Sequence, residues 1–498
     1  MPQLELIERA SRNAERVAIH DQAGAHTYAE LLECSAAVAA RLLEGGDDLR
    51  EERVAFQIAP GFAHVAAQWG VWRAGGVAVP LALSYPVPEI ARLIEDAAPL
   101  CVLAEEALRD RVDQAVQGRR CRVLLLTTEP ELGCRDPLLP QIDPARRAMM
   151  VYTSGTTGRP KGVVTTHSNI EAQIEALVQA WEWRPEDRIL HVLPLHHLHG
   201  VVNVLSCALW SGACCEFLSP FEADSVWERL ASGEISLFMT VPTVYRRLID
   251  AWERADMGTR RRWSRGARDL RLMVSGSAAL PVAILERWQQ ITGHRLLERY
   301  GMTEIGMALG NPVGGERRAG TVGRPFPDVQ ARIVDEAGKT VGDGTRGEIQ
   351  VRGPQVFLEY WQHPAETAAS FRDGWFVTGD EGVVQDGYWS ILGRRSVDII
   401  KTGGYKVSAL EIEEVLREHE AIADAAVVGV ADPDWGERVC AALVLAGDEA
   451  PELSTLRSWC KERLAPYKVP RQILVLEQLP YNAMGKVVKL ELRQRFEA

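Results

Sequence analysis

No two of the nine cysteines are spaced as a CxxC pair, and an odd number spread from Cys34 to Cys460 suits neither a disulfide framework nor a zinc site. Reduced, mostly buried thiols are expected instead. The chain also lacks any apolar run long enough to span a bilayer, any block of like charge, any internal repeat and any low-complexity linker. Its start, "MPQLELIERASRNAERVAIH", has early acidic residues and no apolar h-region, so no secretory signal or transit peptide is expected. A cytoplasmic location without membrane insertion follows as the expectation. The net charge of −12 comes from scattered acidic residues, which argues against nucleic acid or an anionic membrane as the main partner. An anionic small molecule in a local basic pocket is still compatible with that balance.

What is present is an ordinary globular composition, 46% hydrophobic and 25% charged, in 498 residues, enough for roughly three domains or subdomains. From Arg53 to Glu105 short apolar runs ("RVAFQIA", "VAVPLAL", "LCVLAEE") alternate with amphipathic stretches, which predicts a parallel sheet covered on both faces. A second alternating set runs through "RILHVLPL", "ACCEFL", "ISLFMTVPTVYRRLIDAW" and "LRLMVSGSAALPVAILERWQQITG". Between Gly320 and Gly393 short alternating strands with glycine turns predict antiparallel sheet. After Arg394 the pattern reads helix, strand, turn, strand, helix, strand, enough for a small α+β domain. The expected organisation is an α/β protein. A large domain over 1–393 holds two doubly wound sheets and a β-rich subdomain, and a small mobile α+β domain covers 394–498.

The segment "YTSGTTGRPKG", Tyr152 to Gly162, is the most unusual local composition. Its glycine spacing and Pro160 do not fit the P-loop of nucleoside triphosphatases. Glycines nevertheless let backbone N–H groups converge, the hydroxyls of Thr153, Ser154, Thr156 and Thr157 add donors, and Lys161 adds a mobile positive charge. A phosphate-binding loop between two strands is expected, with a cap and helix following in "VVTTHSNIEAQIEALVQAW".

Further motifs follow in order: "PLHHLHG", "VSGSAALP", "ERYGMTE", "GEIQVRGP", "WFVTGD", Gly393-Arg394, "KTGGYKVSALEIE" and "NAMGKVVK". Together with the loop they resemble the adenylate-forming superfamily of acyl-CoA synthetases, luciferases and adenylation domains, from about residue 27 to the C-terminus. The resemblance implies a carboxylate that attacks the α-phosphate of ATP and a resulting acyl-adenylate that is attacked by the thiol of coenzyme A. It assigns the phosphates to Thr153, Ser154, Gly155, Thr156, Thr157, Gly158 and Lys161, and the adenine and ribose to Gly276, Ser277, Ala278, Tyr300, Asp380 and Arg394. Thr303 becomes a phosphate donor and Glu304 the carboxylate that positions Mg²⁺. Lys486 bridges carboxylate and α-phosphate in the first step. Lys401, Gly403 and Gly404 belong to a loop that enters after the small domain rotates about Arg395 to Asp398. His197 stands at the wall between acyl pocket and thiol entry. Three close histidines, His196, His197 and His199, raise the thought of zinc, but their strand-to-turn setting without neighbouring carboxylates argues against it.

The substrate acid is suggested by arginines. Arg299 stands where many relatives have a small residue, and a buried guanidinium needs an anion or water. Helical spacing from Tyr245 puts one of Arg246 and Arg247 on the pocket side and the other toward solvent. The strings around Arg247, Ser277 and Arg299 are most similar to malonyl-CoA synthetases, which implies a dicarboxylate held by Arg247, Arg299 and Ser277: malonate, with methylmalonate as a further acid. Two alternatives stay open, a synthetase for another short or medium acid in which Arg299 only pairs with Glu298 or Glu304, and a nucleotide-binding partner protein without ligase activity.

Overall fold

Between Arg53 and Ala104 three short apolar strands, Arg53–Gln57, Val77–Pro80 and Cys101–Ala104, are separated by helices Phe62–Arg73 and Val87–Ala97. They pair in parallel, as continuous apolar runs joined by helical crossovers must. The computed structural model describes residues 4–126, 138–154, 160–403, 405–447, 451–482 and 486–497, with the backbone alone at Ser154 and Leu453. These three strands lie in a seven-stranded sheet, whose antiparallel side holds the pair Arg147–Ser154 and Pro160–Thr166 on either side of the predicted phosphate loop, with Glu359–Tyr360 at its edge. A nine-stranded sheet has a parallel centre, including Arg188–His191, Leu237–Thr240, Leu272–Ser275 and the start of Leu297–Met302.

Helix Phe62–Arg73 joins the two sheets. It is buried on almost every face, as an apolar sequence without a polar stripe requires. The Phe62 amide donates to Asp21 of the nine-stranded sheet at 2.8 Å, and the Trp72 indole donates to the Ala148 carbonyl of the seven-stranded sheet at 2.8 Å.

The predicted antiparallel segment forms a five-stranded sheet that includes Gln330–Val334, Gly347–Arg352, Trp375–Gln385 and Tyr388–Arg394. From Ile399 onward the strands form a further five-stranded sheet, packed on helices Ala409–Arg417 and Leu453–Lys461. The expected α/β architecture is thus the observed one. Two features are additional. The "KTGGYKVS" segment is a hairpin, Ile399–Thr402 with Tyr405–Ser408, and the chain ends in helix Lys489–Glu497.

Thr166 ends the strand after the phosphate loop and caps helix His167–Ala180 in a reciprocal box. Its hydroxyl accepts from the Asn169 amide at 3.1 Å, and the Asn169 side chain accepts from the Thr166 amide at 3.0 Å. Thr166→Ala should therefore cost about 1 kcal/mol, measured as an earlier urea midpoint at unchanged slope.

Candidate active site

Three parallel strands of the nine-stranded sheet deliver functional residues at their C-terminal ends, where ligands of α/β sheets bind. Arg188–His191 leads to the histidine segment, Leu237–Thr240 to helix Pro242–Arg254, and Leu272–Ser275 to Gly276 and Ser277. The neighbouring strand Leu297–Met302 carries Arg299 and Tyr300.

Arg299 is 2% exposed, and its guanidinium stands beside Gly276. A Cβ at Gly276 would stand 2.5 Å from the Arg299 Cζ, so a larger residue there would have to displace the guanidinium. Nη2 of Arg299 donates to the Ser277 hydroxyl at 3.3 Å, whereas Nε and Nη1 are buried and, among the described residues, without a partner. Among the described residues no ion pair reaches Arg299, including from Glu298, whose Oε1 instead accepts from the Leu280 amide at 3.1 Å. Burial pushes the guanidinium down to about 9. Because arginine keeps its proton in proteins, the shift measures how poorly the charge is solvated. Ser277 holds a left-handed φ of 69°, and its hydroxyl also contacts His199 Nδ1 at 3.3 Å.

Of the two adjacent arginines on helix Pro242–Arg254, Arg246 turns toward the small sheet and pairs with Asp424 at 2.6 Å. Arg247 is exposed, and its guanidinium lies 4.3 Å from the Phe221 ring centre. It is not among the groups that hold Ser277 and Arg299.

Beside this pocket Tyr300 donates to Asp380 at 2.6 Å, and Arg394 Nε pairs with the other Asp380 oxygen at 3.2 Å. Both come from paired antiparallel strands, with Asp380 opposite Arg394 in register. Glu304 is buried and accepts from the Tyr360 hydroxyl at 2.9 Å; burial raises its pKa, as it does that of Asp380. A buried carboxylate destabilised as an anion is suited to a nearby cation. Thr303 is half-buried next to it. Lys161 pairs with Glu366 and faces the Tyr360 ring at 5.3 Å. Thr153 lies opposite Lys161 in the strand pair. Gly155, Thr156, Thr157 and Gly158, like Gly404, lie outside the described residues, as does the side chain of Ser154.

His197 is half-buried, with its ring 4.1 Å from that of His196 and its Nε2 unpartnered. Burial, followed by His196 and Lys486, holds it far below the usual histidine range, so it is neutral. His191 and His196 are pushed down to about 4 by burial. Among the described residues no group of three or more His, Cys, Asp or Glu side chains is placed to hold a metal.

Lys486 reaches this site from the C-terminal segment. The residue is exposed, yet desolvation is the first cause lowering its pKa, followed by Arg394, with Asp380, Arg299 and Glu304 also acting on it. One ammonium thus feels the groups of the acyl and nucleotide sides at once. Gly403 and Lys401 contact other groups: the Gly403 amide donates to the Trp435 carbonyl at 2.9 Å, and the Lys401 amide to Glu437 at 2.6 Å. Gly276 is buried under Arg299, and Ala278 is exposed.

A family profile described as AMP-binding enzyme matches residues 6–361, and one described as AMP-binding enzyme C-terminal domain matches residues 411–486. The chain belongs to the AMP-binding enzyme family. This AMP-binding enzyme is 45% identical to the human (Homo sapiens) protein named malonate–CoA ligase ACSF3, mitochondrial, over 98% of this chain and 91% of that one. ATP-bound MatB from Rhodopseudomonas palustris superposes with a TM-score of 0.91 at 33% identity, covering 100% of this chain and 99% of that one. The apo form of MatB, at 32% identity and the same coverage, gives 0.80. The AMP-binding enzyme described here therefore has an overall arrangement nearer to the ATP-bound form. Its described helices include none long and apolar enough to cross a membrane.

Sequence reasoning did not find Tyr360, Glu366, Asp424, Tyr481 or Lys489. Each acts through contacts distant in sequence, Lys489 included, which stands three residues after Lys486 but pairs with Asp398 and Glu413.

Proposed function

We propose that this enzyme joins malonate to coenzyme A at the expense of ATP, through a malonyl-adenylate, with AMP and pyrophosphate as the other products and methylmalonate as a second acid. The observation that carries the reading is Arg299, a buried guanidinium with two unpartnered donors beside Ser277. A carboxylate would supply the anionic partner that the protein leaves out, taking one of these two donors together with Nη2 along one edge of the guanidinium. Malonate offers such a group while presenting its other carboxylate to the nucleotide. The malonate–CoA ligase relative supports the same choice.

In the first step an oxygen of the near carboxylate attacks the α-phosphorus of ATP and pyrophosphate leaves. Lys486 stands between the two negative groups and offsets the charge as they approach. Lys161, Thr303 and the loop Thr153 to Gly158 hold the phosphates. Tyr300 stacks on adenine beside Gly276, Ser277 and Ala278, and Asp380 with Arg394 holds the ribose. Glu304 would hold Mg²⁺, which would offset the negative charge of the phosphates. In the second step the part 394–498 rotates about Arg395 to Asp398 and brings the loop of Lys401, Gly403 and Gly404 to the cleft. The coenzyme A sulfur attacks the acyl carbon, AMP leaves, and the thiol proton passes to solvent. His197, neutral, stands between acyl pocket and thiol entry. Arg247 completes the distal-carboxylate site from the acyl-side helix.

Buried thiols such as Cys101 and Cys207 suit a reducing aqueous compartment, and we assign this enzyme to the cytoplasm; the human relative is named mitochondrial. Pyrophosphate release measured over a panel of acids, with and without coenzyme A, tests the whole reading. Malonate and methylmalonate should lead, with succinate, acetate and propionate well behind, and coenzyme A should convert a single release into turnover. Preference for a monocarboxylate would replace the named acid, and no release with any acid would leave only a nucleotide-binding protein.

A further inference from the structure

Lys486 lies in the second arm of a short antiparallel pairing between 481–482 and 486–487. The Asn482 amide donates to the Lys486 carbonyl at 2.9 Å, the Lys486 amide donates to the Asn482 side chain at 3.0 Å, and Tyr481 bridges Val487. What fixes this hairpin comes from both ends. Past its far end Lys489, 9% exposed, pairs with Asp398 at 2.6 Å and with Glu413 at 2.7 Å. At its near end the Tyr481 hydroxyl donates to Asp424 Oδ2 at 2.6 Å.

The same Asp424 oxygen accepts from Arg246 at 2.6 Å, and the other takes Arg417 at 3.0 Å. Burial would raise the Asp424 pKa, but Arg417, Tyr481 and Arg246 together hold it below the usual carboxylate range. Arg417 and Tyr481 belong to the same C-terminal part of the chain as Asp424. Among the described residues, Arg246 is the one side chain of the large part that bonds it. Arg246 sits on helix Pro242–Arg254 next to Arg247, and Tyr245 of this helix donates to the Val274 carbonyl at 3.0 Å, just ahead of Ser277. The acyl-side helix is thus joined through one carboxylate to the hairpin that carries Lys486.

We propose that Arg246 is a positioning residue for adenylation: its pair with Asp424 docks the hairpin so that the Lys486 ammonium enters the cleft. The proposal rests on the role given to Lys486 above. Arg246 touches no reacting atom in this scheme. Its contribution is to favour the one orientation of the C-terminal part in which the first step proceeds, and it has no part in the second.

The test compares Arg246→Gln, Arg246→Lys, Lys486→Ala and the double variant Arg246→Gln/Lys486→Ala in two assays. One is malonate-dependent pyrophosphate release without coenzyme A; the other is thioester formation from supplied malonyl-adenylate. Arg246→Gln should slow the first by roughly 10- to 100-fold, the worth of one charge-assisted hydrogen bond. It should leave the second within about twofold, at an unchanged melting temperature, because each step reports only the interactions it uses. Arg246→Lys should recover much of the loss, and the double variant should be no slower than Lys486→Ala, since residues acting as a unit are not additive. An equal fall in both assays, or losses that multiply in the double variant, would overturn the proposal. If Lys486→Ala itself kept adenylation, the role of Lys486 would fail instead, and the two failures are told apart by that single variant.

Discussion

Lys486→Ala is expected to lose malonyl-adenylate formation by on the order of 10²- to 10³-fold, the scale of one preorganised charge or donor at a developing negative centre. Thioester formation from supplied malonyl-adenylate should persist. The asymmetry follows from geometry. The Lys486 ammonium is acted on by Arg394, Asp380, Arg299 and Glu304, groups of the nucleotide and acyl sides together. Two anions must meet there in the first step, whereas in the second the acid is already esterified and AMP departs. The pH dependence carries the same sign. Burial, then Arg394, lowers the Lys486 pKa, so the ammonium loses its proton earlier than an ordinary lysine as pH rises. Adenylation should then decline from the alkaline side while the thioester step does not follow it. Pyrophosphate release without coenzyme A and thioester formation from synthetic adenylate separate the two. Equal losses in both would remove the assigned role.

The periodicity of the chain revealed most of the sheet-forming framework because strands such as Cys101–Ala104 are buried on both faces and read as unbroken apolar runs. The cap at Thr166 was legible for a local reason: a capping box needs only residues three apart. "KTGGYKVS" was read as a loop because paired glycines signal close approach and turn alike, and the two short strands flanking them carry Lys401, Tyr405 and Lys406 outward. Arg246 and Arg247 show the limit more sharply. Helical spacing established that they diverge, but not which faces what, because the deciding partner, Asp424, stands 178 residues away. Arg299 was legible as an anomaly, an arginine inside an otherwise conforming motif. Its missing partner required the packed structure, where Gly276 makes room for the guanidinium and Glu298 turns to the Leu280 amide.

Arg299→Ala should lower kcat/KM for malonate by on the order of 10²- to 10⁴-fold, the range for a site that was built to pair a substrate group and loses the pairing. Acetate or propionate should be used no worse than before. With a monocarboxylate in the pocket, the guanidinium donors Nε and Nη1 stay buried and unsatisfied, a cost that each such complex carries and that alanine removes. The substitution therefore lowers the use of malonate while sparing the monocarboxylates, which a general loss of packing cannot do. Arg299→Lys would not serve as a substitute, because an ammonium lacks the planar fork of donors that the guanidinium holds beside Gly276. Arg247→Ala should act in the same sense but more weakly, since Arg247 is exposed over Phe221 and its charge is screened by water. Steady-state kinetics with malonate and propionate on the three variants decide the matter. Losses that run in parallel for both acids would leave Arg299 as a structural residue and the selected acid without a second charge.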